Sequence, residues 1–183
     1  LTGSEGYEIA FTATYTDEDI TATDPVTILW NFGDGSTASD TLTPTHTYGD
    51  NGVYGVSLTI TDSLGSVGVD AILVTVGNLA PAVDPISNST ALIETLISAP
   101  LTFSDPGWLD THQVDVDWGD GDTDTINLLA GVYTVDLTHT YLSAGDYTVQ
   151  VIVRDDDGGQ GATLFTLWVL EDYYRVRMPL IMR

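Results

Sequence analysis

Two segments of the chain repeat one another, and that repetition constrains the fold more than any other feature of the sequence. Phe32-Gly33-Asp34-Gly35 aligns with Trp118-Gly119-Asp120-Gly121, and Thr45-His46-Thr47-Tyr48 aligns with Thr138-His139-Thr140-Tyr141. Further on, Gly52, Tyr54, Val56, Leu58, Ile60 and Asp62 match Gly145, Tyr147, Val149, Val151, Val153 and Asp155. The distance from the histidine to the last aspartate is sixteen residues in both copies. Between Gly-Asp-Gly and His-Thr-Tyr the second copy is seven residues longer, which predicts an extended surface loop there. A repeat of this length is one folding unit with its own core. The boundary falls near Gly77-Asn78-Leu79-Ala80-Pro81, where a strand-like run ends in Gly and Pro. Domains are therefore expected at 1–77 and 78–170, followed by a tail at 171–183.

The periodicity is that of strands throughout. Val53–Thr61 and Tyr147–Val153 alternate small or polar residues with β-branched ones, the period of two of a half-buried strand. Ile9–Tyr15, Ala71–Val76 and Thr163–Val169 behave alike, and no segment has the pattern of an amphipathic helix. Short strands punctuated by Gly, Asp and Asn turns, with no alternation of strand and helix, predict an all-β chain of two tandem antiparallel sandwiches.

The net charge is −23, from 27 Asp and Glu against four Arg and no Lys. Such a surface repels nucleic acid and anionic bilayers and suits cations and basic partners. No apolar run is long enough to form a membrane-spanning helix. With no cysteine, neither a disulfide framework nor a thiolate metal site is available. The chain opens on Leu1 without a signal-peptide pattern, as expected of a processed product, a fragment or a trimmed chain.

Trp30-Asn31-Phe32-Gly33-Asp34-Gly35, His46-Thr47-Tyr48, Gly52-Val53-Tyr54 and a strand ending in Thr61-Asp62 together resemble the PKD (polycystic kidney disease) domain. The signature of that family is W-x-F-G-D-G, then H-x-Y, G-x-Y and a strand of alternating apolar residues. The first copy matches over almost all of residues 5–77. The second carries Val116-Asp117-Trp118 in place of the aromatic-x-Phe pair, with a Phe103–Gly107 and Asp110-Thr111-His112 lead-in similar to a PKD-like variant. The resemblance implies an immunoglobulin-like β-sandwich of a microbial cell-surface or secreted protein, serving adhesion, spacing or polymer binding.

Catalytic chemistry has few footholds. His46 and His139 recur at one repeated position, as scaffold residues do, and are expected to bond nearby backbone. His112 is expected in a loop. No Gly-x-Ser-x-Gly elbow is present. Asp34 and Asp120 inside Gly-Asp-Gly are expected to bond the local backbone of a tight turn. Trp30, Trp118 and Trp168 fit core positions, and Trp108 a smaller satellite contact. No enzyme is predicted.

Calcium is the ligand that suits the loops, since a hard dication takes six to eight oxygens and these loops are dense in carboxylates. The candidates are Asp17, Asp19 and Asp62 in the first module and Asp105, Asp110, Asp155 and Asp157 in the second. In a sandwich, the loop after an early strand and the loop after the Gly-x-Tyr strand can meet at one end. Asn88-Ser89-Thr90 is a formal glycosylation acceptor.

The composition changes at Glu171. Three of the four arginines fall in the last nine residues, among apolar and strand-prone neighbours. Tyr173, Tyr174, Arg175, Val176, Arg177, Met178, Leu180, Ile181 and Arg183 are therefore candidates for assembly, adding as an edge strand to the acidic body of another molecule. The function expected from sequence is a non-enzymatic extracellular structural or adhesive protein. It would associate with itself or with other surface proteins, as a filament subunit that assembles head-to-tail. The alternative is a polysaccharide- or protein-polymer-binding spacer of a larger secreted hydrolase.

Overall fold

The computed structural model describes residues 1–16 and 25–171, all of it strand, turn or irregular chain without helix. Contacts divide these residues into two units: Leu1–Leu79 with Pro106–Asp110, and Ala80–Asp105 with the described residues from Thr111 onward.

The first unit contains β1 (Thr2–Ser4), β2 (Glu8–Ala10), β3 (Thr27–Asn31), β4 (Thr37–Ser39), β5 (Thr45–Thr47), β6 (Gly52–Thr61) and β7 (Val67–Gly77). One sheet has the order β1-β7-β6-β3-β4, and β2 pairs with β5 in the other. Alternation decides which side chains enter the core: Ile28 and Trp30 of β3 are buried while Thr27, Leu29 and Asn31 face outward. Ile9, Phe11, Phe32, Tyr48, Val56, Leu58, Val74 and Val76 complete the core.

The second unit contains β8 (Ala82–Val83), β9 (Ser89–Leu92), β10 (Ile97–Ser104), β11 (His112–Asp117), β12 (Thr123–Leu128), β13 (Thr134–His139), β14 (Gly145–Asp155) and β15 (Gln160–Leu170). Its sheets have the orders β12-β11-β14-β15-β9 and β13-β10-β8. Leu101, Val114, Val149, Val151 and Val153 are completely buried, and each such side chain removed from water contributes about 2 kcal/mol.

Several details depart from the sequence expectation. The sandwiches are not wholly antiparallel: β1 runs parallel to β7, and β9 runs parallel to β15. The seven extra residues of the second copy lengthen β12 and β13 to six residues each, where β4 and β5 have three. The expected long loop is thus largely strand, because Ile126 and Leu128 continue the pairing of β12 with β11, and Val135 that of β13 with β10, past the point where β4 and β5 stop. Trp168 is not a core residue. It lies between buried Leu167 and Val169 on β15, so it faces the other way and is 39% exposed.

Candidate functional site

The Gly-Asp-Gly turn, the histidine and the tyrosine form one constellation in each unit. In the first, Asn31 Oδ1 accepts the Gly33 N–H and Asp34 Oδ1 accepts the Ser36 N–H, each at 2.9 Å, which fixes the turn after β3. Gly33 adopts φ 87°, and a Cβ there would stand 2.8 Å from the Gly55 carbonyl oxygen, so both conformation and space require glycine. The other carboxylate oxygen of Asp34 meets Nε2 of His46 at 2.7 Å. The His46 ring stacks on Phe32 with centroids 4.2 Å apart. Tyr48 meets that ring edge-on and donates its hydroxyl to the Phe32 carbonyl at 2.9 Å.

The second unit repeats every element. Asp120 accepts the Asp122 N–H and meets His139 at 2.8 Å. His139 stacks on Trp118, and Tyr141 donates to the Trp118 carbonyl at 2.8 Å. Both histidines therefore bond a carboxylate of the neighbouring turn rather than the backbone expected from sequence. Spacing along the chain could not show that β5 and β13 run back beside their own Gly-Asp-Gly turns.

Burial alone would raise the Asp34 carboxyl, but the Ser36 N–H and His46 outweigh it and hold the group below the usual carboxylate value. Asp120 is lowered in the same way, with burial opposed by His139 and the Asp122 N–H. Burial, aided by the Asp34 charge, pushes the Tyr48 phenol up to about 12. Tyr141 moves in the same direction for the same reasons, with Asp120 as the charge.

The proposed calcium ligands are spread over several places. Asp17 and Asp19 lie outside the described residues, as do the tail residues Tyr173, Tyr174, Arg175, Val176, Arg177, Met178, Leu180, Ile181 and Arg183. Asp62 and Asp155 are turn caps: Asp62 Oδ1 accepts the N–H groups of Leu64 and Ser66, and Asp155 Oδ1 those of Asp157 and Gly159. Desolvation would raise Asp62, and the N–H groups of Ser66, Leu64 and Gly65 hold it below its usual value.

In the second unit, carboxylate oxygens of Asp105 and Asp155 lie within 4.8 Å of one another, as expected of two loops meeting at one end of a sandwich. His112 is no loop residue. It opens β11, is 3% exposed and meets Asp105 Oδ2 at 3.1 Å. Asp157 is exposed beside this turn.

Asp110 belongs to the first unit, where its carboxylate lies within 4.8 Å of those of Glu5 and Asp50. Glu5, completely buried, is the acidic residue that sequence reasoning missed. The repeat contained the signal. Glu5 donates its N–H to Gly77 as Ile93 does to Leu170, so Glu5 stands where the second unit has an apolar, inward-facing side chain. Trp108 of the same segment is 45% exposed, and its indole lies over Gly49.

Two immunoglobulin-like sandwiches in tandem, each with one histidine held by its Gly-Asp-Gly turn, define the class of fold. A family model described as the PKD domain matches residues 2–76 and 78–167, and the chain belongs to that family. Domains of this family usually occur in extracellular proteins, and no helix among the described residues is long and apolar enough to cross a membrane.

Among solved structures, the PKD domain of an M14-like peptidase from Thermoplasmatales archaeon SCGC AB-540-F20 is 23% identical, with TM-score 0.42, over 49% of this chain and 92% of that one. Bacteroides ovatus SGBP-B of the mixed-linkage glucan utilization locus, solved with a mixed-linkage heptasaccharide, is 19% identical over 91% of this chain and 42% of its own, with TM-score 0.35. The titin domains z1z2 in complex with telethonin are 16% identical over 94% and 92%, with TM-score 0.43. No curated protein matches the chain in sequence.

Proposed function

We propose that the chain is a non-enzymatic structural and adhesive unit of an extracellular assembly, joined head-to-tail to further copies through residues 171–183. The observation that carries this reading is the partition of charge. The body is densely acidic with Arg154 as its one arginine, and Arg175, Arg177 and Arg183 follow β15 in an apolar segment. Arg154 is itself engaged by Asp115, so the body has little cationic surface to compete for its own carboxylates. A head-to-tail contact does not close on itself and yields a filament.

The test compares the whole chain with a variant lacking 172–183, by light scattering and negative-stain microscopy. Filaments in the first and monomers in the second are expected. Unchanged particle size after the deletion refutes the reading.

Calcium is part of this proposal. Asp105 with Asp155, and Glu5 with Asp50 and Asp110, are acidic groups held close together at largely buried positions. Their mutual repulsion is the kind that a hard, oxygen-seeking dication relieves.

Trp168 favours a second reading, a polymer-binding spacer of a larger secreted hydrolase, because it presents an indole on the outer face of β15. Retention on chitin, cellulose or collagen that is lost in W168A would select it.

A further inference from the structure

Each unit has a five-stranded sheet with one face on the core and the other turned outward, and the two outward faces differ in charge. In the second unit Asp115, Asp117, Asp146 and Arg154 point outward from β11 and β14, away from the buried Val114, Val116, Val149 and Val153. The repeat aligns Leu29 with Asp115, Asn31 with Asp117, Val53 with Asp146 and Thr61 with Arg154. The first unit therefore carries none of these charges.

The whole face follows suit. No charged side chain occupies an outward position on β1, β3, β4, β6 or β7, in a chain of net charge −23. Aliphatic side chains stand there instead. Leu29 and Val69 flank Thr59 in one row across the sheet, Leu73 stands beside Gly55 in another, and Val53 beside Thr75 in a third. Leu29 is 48% exposed, and Val53, Val69 and Leu73 are 64%, 67% and 67% exposed. The solvent face of an antiparallel sheet ordinarily turns polar, and an exposed apolar patch marks a contact surface.

We propose that this face packs against the same face of a second copy, sheet on sheet about a two-fold axis. Charge selects the occupant. Copies of the chain repel one another through their acidic bodies, and on this face they approach without bringing carboxylates together. The two surfaces are identical, as a two-fold contact requires. They also offer relief: a Cβ on Gly55 would meet nothing within 4 Å, which leaves a hollow beside Leu73 for an aliphatic side chain of the facing sheet.

Area sets the strength of the contact. The face is about 20 Å across, at about 4.8 Å per strand, and about 30 Å long along β6, which makes about 600 Å². A stable complex buries about 800 Å² per partner. One contact between two free chains is therefore weak. Copies joined head-to-tail present the face at every step, so that the contacts between two filaments add. The inference rests in this respect on the head-to-tail reading above, and it makes the filament two copies wide.

The experiment measures the mass per unit length of filaments of the whole chain by scanning transmission electron microscopy. L29D combined with V53D gives this face the residue type that the second unit carries at Asp115 and Asp146. Both positions are exposed, so the melting temperature should change little. Wild-type filaments are expected to be two copies wide, and those of the double variant one copy wide, with half the mass per unit length. L73E, on β7, is a second variant with the same expected result. T123D combined with L164D adds equal charge to the outward face of the second unit and is expected to keep the wild-type mass.

Wild-type filaments one copy wide, or face variants that keep the doubled mass, overturn the pairing and leave the head-to-tail reading standing. Halved mass in T123D with L164D overturns it as well, since net charge and not this face would then be responsible. A wild-type chain that forms no filament at any concentration removes both.

Discussion

Asp34 Oδ2 and His46 Nε2 stand 2.7 Å apart, and Asp120 and His139 repeat the pair at 2.8 Å. In both, the native carboxyl titrates below its usual value of 3.8. A carboxylate with a lowered native pKa leaves the unfolded state binding more protons, so its stabilisation is complete above the unfolded value and disappears as pH falls through the native one. Urea midpoints of the whole chain should therefore hold steady down to about pH 4 and fall below it. Asn in place of both aspartates keeps an acceptor for the turn N–H but removes the charge, at a cost of about 2 kcal/mol per site at neutral pH. The double variant should lose part of the acid limb; an identical limb would mean that the pairs do not contribute to it.

Tyr48 and Tyr141 each cap a buried carbonyl, of Phe32 and Trp118 respectively. Y48F and Y141F leave those oxygens without their donors and should each cost about 1 kcal/mol in denaturant titrations. Because the native phenols are raised, Tyr48 to about 12, their contribution is present below the unfolded value near 10 and is lost as pH climbs through the native one. Ultraviolet titration of the folded protein should show these two tyrosines ionising above the ordinary phenol value near 10. Their ionisation near that value would contradict the burial argument.

The repeat made the fold legible because each unit carries its turn glycines, its capping tyrosine and its alternating strand at one spacing. What sequence could not show is set by tertiary geometry. Trp168 belongs to a run that looks apolar on both faces, and only the register of β15 against β14 decides that Leu167 enters the core and Trp168 does not. His112 is expected in a loop but opens β11. Its burial comes from Phe103 and Tyr133, which are distant in sequence and pack edge-on against its ring. Of the carboxylates, Asp105 and Asp155 were placed in loops that meet. Glu5 escaped because an acidic residue at an inward position violates the pattern by which inward positions are recognised.

Gly119 and Gly121 separate strain from contact. Both have positive φ, 77° and 103°, but a Cβ on Gly119 would stand 2.6 Å from the Thr148 carbonyl oxygen whereas one on Gly121 meets nothing within 4 Å. G121A should cost about 1 kcal/mol, from backbone strain alone. G119A must also displace β14 and should cost about 3 kcal/mol or more. Comparable thermal shifts for the two would show that the approach to Thr148 is relieved without disturbing the sheet.

The proposed calcium binding must appear as stability. A ligand that binds only the native state stabilises it by about 2.7 kcal/mol when present at a hundredfold excess over its dissociation constant. Millimolar calcium should therefore raise the melting temperature, and chelation should reverse the rise. Asp155→Asn separates metal from scaffold. Its side-chain oxygen still accepts the Asp157 and Gly159 N–H groups that Asp155 Oδ1 now holds, so the turn survives in the absence of calcium. The variant loses one of the two charges that face each other, Asp105 being the other, and relief of that repulsion should leave it no less stable than the wild type in chelator. In calcium the order should invert, with the wild type gaining and D155N gaining little. Equal calcium shifts in the two proteins would place any bound ion elsewhere, and no shift in either would remove calcium from the account of this chain.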